Sequence, residues 1–267
     1  MLHHYRNSER LFHTADGRPT PLAIDGVVAW FNTDDPSIDV VESGGKVSAW
    51  IDKTGNGNDV TQGNISLQPD IIPGVLHNYS CIRFDGTALL QAVSPPSTPS
   101  GDLGIHIFAV GSVSATVASG SSLVAYSGPV SPGQEAISLD AVLNNNSIRM
   151  VGSSDGGTLL QSEFICPGGL FLDTPFIAEG SIRLLRQGNE LLAHKNGSIN
   201  AGQGGLPGSG LIGGASLRFG SSRDNLIKPL FGDLVEVIIY ERELSFQERN
   251  QINAYLGHKF NIPLELI

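Results

Sequence analysis

The last fifth of the chain limits its possible folds more than any other stretch. Gly232-Asp233-Leu234-Val235-Glu236-Val237-Ile238-Ile239-Tyr240 is an apolar run of strand length, rich in β-branched residues. It passes through Glu241-Arg242-Glu243-Leu244 into Ser245-Phe246-Gln247-Glu248. Ser245 and Glu248 have the S-x-x-E spacing of a capping box, which marks a helix start. Beyond it Ile252, Tyr255 and Leu256 share one helical face, with Asn250, Gln251 and Asn253 off it. One amphipathic helix closing a strand-rich chain predicts a β-sandwich with that helix laid against it.

The rest of the chain is punctuated as such a sandwich requires. Its 33 glycines and 15 prolines are spread along all 267 residues, which favours many short strands and turns in one large all-β domain. Residues 105–113 read as a buried strand. Residues 136–143 and 147–151 flank Asn144-Asn145-Asn146, and residues 181–186 and 190–195 flank Gln187-Gly188-Asn189, giving two hairpins. Asn196-Gly197 makes a further turn, and residues 94–101 and 200–215 are loops. Residues 1–24 differ: they are polar, carry three of the seven histidines and contain Asp16-Gly17-Arg18-Pro19-Thr20-Pro21, which favours extended backbone. The expected division is an N-terminal arm, residues 1–24, and one sandwich, residues 25–267.

Charge and apolar patterning exclude several partners. Charged residues make up only 16% of the chain and the net charge is −10, which argues against a surface that tracks nucleic-acid phosphates. No apolar run reaches the length of a membrane span, and the first ten residues lack the apolar core of a signal peptide. The expectation is a chain made in the cytoplasm with no membrane segment. Cys81 and Cys166 allow one bridge at most, and two small buried thiols are the expected state.

Three further segments carry a resemblance. Val27-Val28-Ala29-Trp30-Phe31 is followed by Ala49-Trp50-Ile51-Asp52-Lys53-Thr54-Gly55-Asn56-Gly57-Asn58-Asp59, and then by Arg83-Phe84-Asp85-Gly86. With the strand-plus-helix ending, these resemble the laminin-G-like, concanavalin A-like lectin and glucanase superfamily over residues 25–262. The resemblance implies an all-β, two-sheet antiparallel jelly-roll sandwich with one short C-terminal helix. It says little of function, because the fold hosts lectins, hydrolases, lyases and structural modules.

Candidate chemistry is sparse. Asp52, Asn56, Asn58 and Asp59 cluster hard oxygen ligands among glycines, as a calcium loop does. The competing reading is a turn whose Asp and Asn side chains cap its own backbone. Hydrolases of the resembled fold carry paired acids on one strand, and this chain has no such strand; Glu236 stands alone and is expected to meet backbone or an arginine such as Arg83 or Arg218. Trp30 and Trp50 are expected in the core, Tyr79 and Tyr126 nearer the surface, and His106 exposed on the polar side of its strand. No catalytic residue and no cofactor beyond a structural calcium is expected. Three functions then compete: a structural and adhesion protein of a virus particle, a bacterial glycan-binding module, and a carbohydrate-active enzyme. The first is favoured, as a bacteriophage decoration, head-fibre or tail component. Its arm would bind capsid or tail subunits, and the protein would be a homo-oligomer able to hold host glycans.

Overall fold

The computed structural model describes residues 17, 19–92, 104–114, 120–127, 135–142, 146–153, 159–165, 170, 172–183, 190–198, 203–204, 216–222 and 228–265. The arm up to residue 16, the loop 94–101, most of 200–215, the two hairpin tips at residues 144–145 and 187–189, and Cys166 lie outside them.

Among the described residues seventeen strands run in chain order. They are β1 (Val27–Asn32), β2 (Val40–Ser43), β3 (Lys46–Trp50), β4 (Val60–Thr61), β5 (Asp70–Leu76), β6 (Tyr79–Asp85) and β7 (Leu90–Ala92). There follow β8 (Ile105–Val113), β9 (Ser121–Ser127), β10 (Glu135–Val142), β11 (Ser147–Ser153), β12 (Leu159–Ile165) and β13 (Phe176–Arg183). The last are β14 (Glu190–Lys195), β15 (Gln203–Gly204), β16 (Ser216–Phe219) and β17 (Phe231–Tyr240). One helical turn, α1 (Pro36–Asp39), precedes β2, and the long helix α2 (Phe246–Phe260) closes the fold.

The strands make two antiparallel layers. In the first, β17 lies between β8 on one side and β6 then β1 on the other, and β13, β14 and β15 continue beyond β8. The second runs β2-β3-β4-β7-β16-β9-β10-β11-β12. Lys46 of β3 pairs with Asp70 of β5 and joins the layers at one edge. Their facing sides bury Phe31, Trp50, Leu139, Met150, Phe219 and Val237. The rings of Phe31, Trp50 and Phe219 meet edge to face or tilted, with centroids 5.1 to 5.6 Å apart.

Strands β8 and β17 are buried on both faces, which explains why they read as unbroken apolar runs. Their second face lies under α2, whose Ile252, Tyr255, Leu256 and Phe260 pack on Phe108, Val110, Ile177 and Ile238. The architecture is therefore sheet on sheet on helix, the sandwich with one closing helix that the sequence predicts. The Ser245 hydroxyl accepts from the Glu248 amide, and the Glu248 carboxylate accepts from the Ser245 amide, completing the capping box. Residues 19–24 also belong to this layer: Ile24 is buried there, and the Tyr240 hydroxyl donates to the Pro21 carbonyl at 3.0 Å.

Candidate functional site

The turn after Trp50 brings Asp52, Asn56, Asn58 and Asp59 together as a cap. Asp52 Oδ1 accepts from the amides of Trp30 (3.1 Å) and Thr54 (3.0 Å). Its Oδ2 accepts from the Asn58 amide (3.2 Å) and Asn58 Nδ2 (3.0 Å), and the Thr54 hydroxyl lies 2.8 Å from both oxygens. Asn56 Nδ2 and Asn58 Nδ2 donate to the Val28 carbonyl, and Asp59 Oδ1 accepts from the Asp52 amide. Both oxygens of Asp52 and one of Asp59 are thus engaged by donors of the turn and of β1. These bonds are the ones that the capping reading expects. Strand β1 explains the design. It pairs with β17 on one side, and on the other this turn satisfies Val28 O and Trp30 N, while the Lys53 amide bonds Trp30 O.

The other quoted motif residues are also spent on the fold. Arg83 forks onto Asp233 of β17, with Nε to Oδ1 at 2.8 Å and Nη2 to Oδ2 at 2.9 Å. Gly86 follows Asp85 with φ 85°, and a side chain there would meet the Phe231 ring at 2.0 Å. Asn196 and Gly197, at φ 50° and 83°, form the tight turn that their sequence predicts. Cys81 is a buried free thiol.

Two charged clusters fasten α2 to the first layer. Glu236 meets neither Arg83 nor Arg218. It accepts from Trp30 Nε1 (2.7 Å), Tyr255 OH (2.9 Å) and Lys259 Nζ (2.6 Å). Lys259 also pairs with Asp34 at 2.6 Å and lies 5.3 Å from the ring centres of Tyr79 and Tyr255. Burial works against the Lys259 charge, but Glu236 and Asp34 outweigh it and raise its pKa. At the other end Arg249 clasps the fully buried Glu179 through Nε and Nη2, and Asn253 Nδ2 donates to Glu179 Oε2 at 2.9 Å. His106 is buried here rather than exposed, because α2 and the segment before it cover that face of β8. Its Nδ1 accepts from the Leu244 amide, so Nε2 holds the proton that reaches Glu179 at 2.8 Å. Asn253 is likewise buried, not off the packed face. Burial would raise the Glu179 pKa, but the hydrogen bond from His106 and the positive charge of Arg249 help to bring it down to about 2. Burial lowers His194, which faces Glu179 across β13 and β14, to about 4.

The third polar region is the outer face of the second layer. Adjacent register positions there are Thr61, Gln91, Arg218, Ala125 and Ser138 in one row, and Ser122, Asp140 and Arg149 in the next. Asp140 Oδ2 accepts from Arg149 Nη2 (2.9 Å) and Lys228 Nζ (2.8 Å). Asp140 Oδ1 and Ser122 Oγ are buried and have no hydrogen-bond partner. The sequence reading missed this centre. The signal was the alternation Ile137-Ser138-Leu139-Asp140-Ala141, which puts an acid on the face opposite the core. Tyr126, expected nearer the surface, is buried in the core instead. Among the described residues no three His, Cys, Asp or Glu side chains gather to hold a metal ion. No helix among them is long and apolar enough to cross a membrane.

No family model matches the chain, and no curated protein matches it. Solved structures do. The binding domain of Paraclostridial Mosquitocidal Protein 1 superposes with a TM-score of 0.61 at 13% identity, covering 87% of this chain and 53% of that one. The botulinum neurotoxin serotype D ligand-binding domain, in complex with N-acetylneuraminic acid, gives 0.59 at 11% identity over 90% and 52%. Trypanosoma rangeli sialidase in complex with sialic acid gives 0.61 at 14% identity over 98% and 38%. This chain thus spans about half or less of each neighbour's length. At these identities the likeness is one of fold: the β-sandwich of toxin binding domains and of a sialidase.

Proposed function

We propose that the chain is a non-catalytic, glycan-binding β-sandwich module. The observation that carries this reading is how the carboxylates are used. Glu179, Glu236, Asp233, Asp140, Asp52 and Asp39, the buried acids among the described residues, are each engaged by arginine, lysine or backbone donors that hold the fold together. General acid–base chemistry needs a carboxyl group within reach of substrate. The neighbours support the glycan-binding part of this reading, since two of the matched structures hold sialic acid and a third is named as a binding domain. The finer reading is a bacteriophage virion component, attached to capsid or tail subunits through residues 1–24. It draws on the polar character of that segment, and immunodetection on purified particles tests it.

The decisive experiment applies the labelled, folded chain to an array of immobilised glycans and, in parallel, incubates it with a polysaccharide panel. Saturable binding to a subset of glycans with no release of reducing ends is expected. A folded chain that binds none of them overturns the binding reading. Turnover that disappears in Glu236→Gln overturns the non-catalytic one.

A further inference from the structure

We propose that Asn56 is a modification site, where the Gly57 amide nitrogen displaces the side-chain amide as ammonia and leaves aspartate or isoaspartate. The sequence has two Asn-Gly pairs, Asn56-Gly57 and Asn196-Gly197. Glycine after asparagine leaves the peptide nitrogen unshielded, because no Cβ stands beside it. The structure sets the two pairs in opposite surroundings. Asn56 and Gly57 are both exposed, and a Cβ at Gly57 would meet nothing within 4 Å. The Gly57 amide donates to no atom among the described residues. The Asn56 side chain is held at the surface by one bond, from Nδ2 to the Val28 carbonyl at 3.0 Å. Asn196, by contrast, is buried. Its Oδ1 accepts from the Ile177 amide at 2.9 Å, its own amide donates to the Ile177 carbonyl, and Arg249 of α2 donates to the Gly197 carbonyl. The reaction needs no reagent but water. The Gly57 nitrogen attacks Asn56 Cγ; the N–Cγ bond forms, the Cγ–Nδ2 bond breaks, and Nδ2 leaves as ammonia with the proton of the Gly57 amide. Water then opens the cyclic imide, at Cγ to give aspartate or at the main-chain carbonyl carbon to give isoaspartate. Either product carries a carboxylate, which cannot donate to Val28 O, in a turn that already holds Asp52 and Asp59. The modification therefore weakens the cap on β1 and leaves Asn58 Nδ2 to hold Val28 O.

The test keeps the folded chain at pH 8 and 37 °C and maps its peptides by mass spectrometry, with the chain in guanidinium chloride as the reference for unhindered reaction. The Asn56 peptide should gain one mass unit and split into two products. Its rate should fall no more than about fivefold below the reference, because one surface hydrogen bond must open first. Asn196 should be slowed by at least about tenfold, because its buried turn must open first. Asn56→Gln keeps an amide but lacks the five-membered ring closure, so its peptide should stay unmodified. Asn56→Asp reproduces one product and should melt about 2–4 °C lower, the shift expected for one lost hydrogen bond in a chain of this size. An Asn56 peptide still intact when the reference has converted would overturn the proposal. So would Asn196 converting as readily in the fold as Asn56. An unchanged melting temperature in Asn56→Asp would overturn the link to the β1 edge.

Discussion

At the scale of single residues, the molecule spends its most ligand-like side chains on closing strand edges. Asp52 shows this best. An edge strand leaves every second amide and carbonyl to find its own partner, and Trp30 N finds the Asp52 carboxylate while Val28 O finds two asparagine amides. Asp52→Ala would strand the Trp30, Thr54 and Asn58 amides next to a buried tryptophan layer. The expected cost is about 2–4 kcal/mol in urea unfolding, because each unsatisfied buried group costs about 1–3 kcal/mol and some will rehydrate. Calcium and a chelator should leave the wild-type melting temperature unchanged. A chelator-induced drop of several degrees would show that a cation displaces this hydrogen-bond set and would return the turn to the calcium reading.

At the scale of elements, the legible parts were those whose signal is local. The capping box, the α2 apolar face, the strand periodicity of β8 and β17 and the Asn196-Gly197 turn all depend on neighbours in sequence, and the structure contains them. What stayed hidden depends on distant contacts. Glu236 and Trp30 are 206 positions apart, and Arg249 and Glu179 are 70. His106 reads as exposed because alternation distinguishes two faces of a strand but does not reveal that a helix covers the second one. The Asp140 centre was hidden for a related reason: its acid lies in the expected alternation, yet its two cations come from a neighbouring strand and from residue 228. These long-range pins set the strength of the helix docking. Arg249 and Lys259 stand ten residues apart, about 15 Å along the helix axis, and bracket its apolar face. Arg249→Ala leaves the Glu179 carboxylate buried without its main cation, and should cost about 3–5 kcal/mol. Ser245→Ala removes only an exposed cap and should cost about 1 kcal/mol. Urea unfolding of the two variants checks the order. Equal costs would mean that α2 is held by its apolar face alone.

At the scale of the whole molecule, the charged layer beneath α2 ties stability to pH. His194 is neutral in the fold because burial lowers its pKa from 6.5 to about 4, with Arg249 and His106 adding to the effect and Glu179 opposing it. In the unfolded chain the same ring takes up a proton near its ordinary value. The unfolded state therefore binds more protons than the folded state below pH 6.5, and stability falls as the pH is lowered from 6.5 towards about 4. Glu179 acts in the same direction over a lower window. Its folded carboxyl is ionised down to about 2, against 4.5 when free, so its contribution is complete above 4.5 and is lost as the pH falls from there towards about 2. For His194 the full loss is about 3 kcal/mol, from about 1.4 kcal/mol per pH unit. Urea unfolding at pH 7.5, 5.5 and 4 should show a progressive decline. His194→Gln cannot take up a proton and should flatten the upper part of that decline, leaving the part below pH 4.5 that belongs to Glu179. A wild-type chain equally stable at pH 7.5 and 4, or a His194→Gln variant with the same slope, would show that the layer under α2 does not govern the acid response.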